Sequence, residues 1–132
     1  MTAGTLRAGD ELPELTLPPI SRTTLALFAG ASGDHNPIHI DLDVARSAGL
    51  EDVFAHGMLS MAYLGRLLTG WVPQQRIRRY SVRFSAITPL HAEPTCRGMV
   101  ESVKDGLATL KLTVKLADGT TTLLGEAVVT AS

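Results

Sequence analysis

Residues 57–71, GMLSMAYLGRLLTGW, decide the fold. Read as a helix, they carry apolar or small side chains on nearly every face, interrupted chiefly by Ser60, Arg66 and Thr69. Such a helix is wrapped by other structure and does not lie on a surface. The wrapping comes from downstream. Tyr80, Val82, Phe84 and Ala86 alternate with Ser81, Arg83 and Ser85, the period of two of a half-buried strand. Ala108, Leu110, Leu112, Val114 and Leu116 repeat the pattern against Thr109, Lys111, Thr113 and Lys115. Asp105-Gly106 and Asp118-Gly119 bracket this second strand, and each pair tolerates the positive φ of a tight hairpin. Met99 to Lys104 and Thr120 to Thr130 are therefore its neighbours in an antiparallel meander, with Glu14 to Leu17 an extra strand near the start.

Upstream of the apolar helix the chain reads as helices and loops. Ser21 can cap a helix over Arg22 to Gly30 by accepting a free backbone N–H, and Gly30 and Gly33 end it. Asp41 or Asp43 starts a short helix through Ala48, with Gly49 as its stop. The expected class is α+β in two layers, a curled antiparallel sheet around a long central helix. There is no internal repeat, low-complexity tract or long linker, so residues 1–132 are expected to form one domain. The sheet would keep an open edge, which predicts pairing with a second copy.

Composition narrows the function. Twelve Lys and Arg against thirteen Asp and Glu leave a formal charge of −1, which supplies no field for binding nucleic acid. The single cysteine, Cys96, cannot form an internal disulfide and sits in an apolar stretch, where inert packing is the simplest role. Residues 1–14 lack a continuous apolar segment and carry Asp10, Glu11 and Glu14, so no secretory signal is read. No stretch reaches the roughly 20 apolar residues of a membrane span. The expected address is the cytoplasm.

Chemistry concentrates in Phe28-Ala29-Gly30-Ala31-Ser32-Gly33-Asp34-His35-Asn36-Pro37-Ile38-His39, followed by Ala45. Pro37 biases Asn36 towards an extended conformation, making Asp34 to His39 a shaped loop between helices. A carboxylate and an imidazole on one such loop can hold a water molecule, the first accepting a hydrogen and the second exchanging a proton. Adding that water to an α,β-unsaturated thioester also requires donors aimed at the carbonyl oxygen. His56-Gly57-Met58 offers them at the start of the apolar helix, where free N–H groups favour an anion and Gly57 admits a ligand close to the backbone. Other readings stand beside this one. An Asp next to Gly and Asn-Pro is common turn chemistry, His39 can be a hydrogen-bonded structural residue, and Asp34, His35, His39 and His56 are all metal-ligand types without a recognised closed-site spacing.

The stretch Phe28 to His39 with Ala45 resembles the signature of the R-specific enoyl-CoA hydratases, the MaoC-like dehydratases of the hot-dog fold. His56-Gly57-Met58 looks like that family's helix-start motif, and the resemblance extends over nearly the whole chain. Ala31 departs from it, since a larger aliphatic residue or Gly is expected there. The resemblance implies that Asp34 and His39 are a catalytic dyad, that Asn36 helps hold the loop, and that the Gly57 amide polarises the thioester carbonyl. It also implies that a helical overhang carries the active-site loop, in a dimer with sites near the interface. His35 falls at a variable position and receives no role.

The reaction so implied is reversible hydration of trans-2-enoyl thioesters to (R)-3-hydroxyacyl thioesters, with acyl-CoA, or an acyl-carrier-protein thioester, as substrate. No metal is expected, because no recognised closed-site spacing is present, and no redox cofactor, because no phosphate-cradling Gly-rich turn links a strand to a helix. An acyl chain along the central helix would meet Met61, Leu64, Gly65 and Leu68. Gly65 costs the helix about 1 kcal/mol relative to Ala and leaves room for a longer chain. Arg76, Arg78, Arg79 and Arg83 either meet coenzyme A phosphates or an acidic carrier, or are the solvated side of a strand. The rival functions are thioester hydrolysis and a non-catalytic subunit that binds acyl thioesters or completes a heterodimer. The expected assembly is a homodimer or a dimer of dimers, with the heterodimer as the alternative, and neither membrane nor nucleic acid as partner.

Overall fold

The computed structural model describes residues 4–132. In chain order the elements are β1 (Leu15–Thr16), α1 (Arg22–Ser32), a 3₁₀ turn (Pro37–His39), α2 (Leu42–Ser47), α3 (Gly57–Thr69), a second 3₁₀ turn (Gln74–Arg76), β2 (Ile77–Phe84), β3 (Thr95–Lys104), β4 (Leu107–Lys115) and β5 (Thr121–Thr130). The strands form one antiparallel sheet in the order β1-β3-β4-β5-β2. Sequence neighbours β3, β4 and β5 pair as a meander, and β2 closes the order against β5. This is the α+β hot-dog arrangement, with α3 as the central helix.

Alternation along β4 explains why the sheet has an inside. Ala108, Leu110, Leu112 and Val114 are buried on one face, while Leu107, Lys111 and Lys115 are exposed. Leu64, Leu67 and Leu68 of α3 pack on that inner face, together with Trp71, Val100, Leu123, Ala127 and Val129. Close approach of helix to sheet is possible because β5 carries Gly125, where an added Cβ would meet Leu64 Cδ2 at 3.0 Å and Leu112 Cβ at 3.2 Å. A second apolar cluster lies under the upstream helices and comprises Ile20, Leu25, Ala45, Val53, Ala55 and Leu59.

Several boundaries differ from the sequence reading for identifiable reasons. α1 runs through Gly30 to Ser32 and stops only where Gly33 adopts φ 77°, its N–H returning to the Ala29 carbonyl. β1 shrinks to two residues between Pro13 and Pro18, which have no N–H for a ladder. The two Asp-Gly turns are not alike. Asp105 and Gly106 both have positive φ, 54° and 76°, as a two-residue hairpin requires. At the other turn only Gly119 does, at 89°, in a longer loop closed by Leu116 and Thr120. Among the described residues, no helix is long and apolar enough to cross a membrane.

Candidate active site

The loop between α1 and α2 is built by short side-chain-to-backbone bonds. Ser32 Oγ accepts the Asp34 N–H, Asp34 Oδ1 accepts the Asn36 N–H, and Asn36 Oδ1 accepts the Ile38 N–H, each at 3.2 Å. Asn36 is the cap of the 3₁₀ turn and Pro37 its first residue, a place where a missing N–H costs nothing. Pro37 thus opens a short 3₁₀ turn within the shaped loop that the sequence predicts. His39 ends that turn and points inward, 8% exposed, whereas Asp34, His35 and Asn36 are exposed.

His39 is oriented by the chain entering α3. Its Nδ1 lies 2.7 Å from the Phe54 carbonyl oxygen, and its ring meets Phe54 edge-on with centroids 4.8 Å apart. A carbonyl only accepts, so Nδ1 carries the hydrogen, and in the neutral ring Nε2 is left as a bare acceptor. That nitrogen and a nearby carboxylate are suited to exchanging protons with a bound water.

His56 stands at the start of α3, as its motif suggests, with its ring directed inward. It is 1% exposed, its ring stacks on His39 at 4.0 Å and 28°, and Phe28 meets it edge-on at 5.0 Å. Its Nε2 is 3.2 Å from the Asp34 carbonyl oxygen, and its Nδ1 is buried without a hydrogen-bond partner among the described residues. Burial, reinforced by His39 alongside, holds the His56 imidazolium below the usual histidine range. Its side chain is therefore turned into the protein.

Asp34, His39 and His56 each present one ligand-type atom, all within 4.8 Å of one another. The set is of the kind that can hold a cation, and each imidazole gives one nitrogen to a backbone carbonyl.

Gly57 begins α3, whose cap residue His56 makes no side-chain cap hydrogen bond among the described residues. Beside it opens a cleft of about 340 Å³ lined by Phe54, Ala55, Gly57, Phe84, Ser85, Ala86, Ile87, Thr88 and Leu123. Asp34 and His39 do not line it. Phe54 connects the two regions, one carbonyl gripping His39 while the residue also walls the cleft.

Met61 and Gly65 do not line this cleft either. Gly65 faces the sheet, and a Cβ there would meet the Tyr80 ring at 3.7 Å. The Tyr80 hydroxyl donates to the Met61 carbonyl at 2.7 Å. Sequence reasoning missed Phe54, Phe84 and Ile87 as cleft residues; the signal was the end of the alternating run at Ala86, where a strand leaves the core. Within the arginine group, Arg76 is tied to the Thr130 and Gly4 carbonyls at 2.9 and 3.3 Å, while Arg78, Arg79 and Arg83 are exposed.

The chain is 30% identical over 98 residues to the mitochondrial 3-hydroxyacyl-[acyl-carrier-protein] dehydratase of Arabidopsis thaliana, a match covering 74% of this chain. It spans 57% of that relative's length. Among solved structures it is similar to the (R)-hydratase of A. caviae involved in PHA biosynthesis, with a TM-score of 0.83, 27% identity and coverage of 97% of this chain and 98% of that one. A chain of the ChsH1-ChsH2 complex of Mycobacterium tuberculosis also has a TM-score of 0.83, at 26% identity, covering 93% and 96%. Residues 9–120 match the family described as MaoC like domain, and with most of its length so matched this chain belongs to that family of hydratases and dehydratases.

Proposed function

We propose that the protein catalyses reversible syn hydration of trans-2-enoyl thioesters to (R)-3-hydroxyacyl thioesters, with coenzyme A as the carrier. The observation that carries this reading is the convergence of the Asp34 carboxylate and the His39 ring within 4.8 Å, next to the uncapped start of α3. The names of the Arabidopsis dehydratase and the A. caviae (R)-hydratase support the same reaction seen from its two directions.

In the forward direction a water held between Asp34 and His39 forms its C–O bond at C3. The C2=C3 electron pair moves towards the carbonyl oxygen, which accepts from the Gly57 N–H as negative charge develops. A proton released by the water returns through the dyad to C2, so one water supplies both the hydroxyl and the hydrogen on one face. The reaction consumes no redox equivalent. The acyl group lies in the cleft walled by Phe84, Ile87 and Leu123. Extra room at Gly65 for longer chains then depends on displacement of the Tyr80 ring.

A two-chain assembly fits this reading. β2 is the long edge of the sheet, eight residues with one side unpaired, and a second chain along it would extend the wall beside Phe84. A second copy of this chain is the simplest occupant; the ChsH1-ChsH2 complex makes a different subunit the alternative.

Crotonyl-CoA absorbance, with chiral resolution of the product, tests the reaction. Wild type should consume the enoyl chromophore and form the R product, and Asp34→Asn should remain folded while losing at least about 100-fold in kcat. An S product, or an Asp34→Asn variant as active as wild type, would remove the dyad from the mechanism. Release of free thiol from a saturated acyl-CoA would instead identify a thioesterase.

A further inference from the structure

His56 is a buried polar side chain beside the dyad that the reaction as proposed does not use. His56 is 1% exposed and immediately precedes Gly57, so whatever fixes its ring also fixes the first turn of α3. Its Nε2 faces the carbonyl oxygen of Asp34, 22 residues earlier in the chain, at 3.2 Å. An oxygen of that kind accepts only, which requires the hydrogen to be on Nε2. A neutral imidazole has a single N–H, and the buried Nδ1, partnerless among the described residues, is its bare side. The ring face is also in use, stacked at 4.0 Å on His39 and braced on its edge by Phe28.

We propose that His56 is a positioning residue for the hydration: locked as the neutral Nε2–H tautomer, it ties the Asp34 backbone to the start of α3 and sets the plane of His39. It does not touch substrate. Because the side chain of residue 56 grips the dyad loop while the adjoining residue, Gly57, lines the cleft, one residue sets the distance between the water-handling groups and the proposed oxyanion donor. Displacements of about 1 Å between reacting groups cost on the order of 100-fold in rate, so a single hydrogen bond at this joint has leverage beyond its own strength. The proposal rests on the hydration reading, and the experiment separates the two.

Two variants divide the functions of the ring. His56→Gln keeps an N–H donor of similar reach, whereas His56→Phe keeps an aromatic ring against His39 and has no donor. With crotonyl-CoA, His56→Phe should lose about 100-fold in kcat with KM within about three-fold of wild type, and His56→Gln should recover kcat to within about ten-fold. The tautomer is read in the unsubstituted protein from the imidazole ¹⁵N shifts of His56, which should show a protonated Nε2 and a bare Nδ1 at neutral pH. A folded His56→Phe protein with wild-type kcat, a loss confined to KM, or an Nδ1–H tautomer would each overturn the proposal. If wild type hydrates no enoyl thioester, the hydration reading falls and takes this role with it. If wild type is active and His56→Phe is equally active, only the positioning role falls.

Discussion

His39 and His56 are adjacent rings held by the same device, a backbone carbonyl on one nitrogen, yet they end in opposite states. His39 gives its Nδ1 to such a carbonyl and His56 its Nε2, and the Nδ1 of His56 is buried. The folded value for His56 lies below the ordinary one, first because of burial and then because His39 lies against it, with the Asp34 carbonyl and carboxylate acting in the other direction. As pH falls through about 6.5 the unfolded chain therefore takes up a proton before the folded chain does. Stability is full above that point and declines below it by up to about 1.4 kcal/mol per pH unit until the folded value is reached. Denaturant titrations between pH 8 and 5.5 should show this slope in wild type and a flatter one in His56→Gln. Parallel profiles would mean that another group carries the acid sensitivity. Cys96 shows the same physics without a partner: burial pushes its thiol up to about 11, which suits the inert packing its apolar neighbours suggest.

At the level of elements, the decisive contact is α3 on β5. A side chain at Gly125 would meet Leu64 and Leu112 at 3.0 and 3.2 Å, and two packed aliphatic groups would have to give way. Gly125→Ala should therefore destabilise by about 1–3 kcal/mol in urea unfolding. Gly30 is the opposite case, with nothing within 4 Å of its added Cβ on the exposed side of α1, and Gly30→Ala should stabilise by about 0.5–1 kcal/mol. Equal effects of the two substitutions would contradict the close approach of helix to sheet. The elements themselves were legible because their signals are local: alternation in β4, Ser21 as the cap of α1 with its Oγ accepting the Thr24 N–H, Asp41 as the cap of α2. The Asp34–His39 loop was legible as well, since Pro37 and the Asx turns act within a few residues. What was not legible is long-range. Nothing local in the sequence says that Phe84 closes over Gly57, where an added Cβ would lie 3.0 Å from the ring, or that His56 turns inward to a carbonyl in the α1–α2 loop. Those facts depend on how two halves of the chain pack.

Across the whole molecule, the halves keep separate interiors. The larger core joins the sheet to Leu64, Leu67 and Leu68; the smaller one, from Ile20 to Leu59, supports the helices that flank the Asp34–His39 loop. Tyr63 packs against both. A cluster this small is expected to open at a lower free energy than the sheet. On heating, turnover should decay before the far-ultraviolet signal of the strands, and amides of α2 should exchange with solvent faster than those of β4. Coincident loss of activity and strand signal would show that the two interiors melt as one.

The division also sorts inherited or engineered changes by their consequence. A substitution beneath the sheet alters how many molecules reach the folded state. One beneath the upstream helices alters how well each folded molecule performs, with little effect on how many accumulate. Tyr63 is where yield and proficiency cannot be adjusted independently.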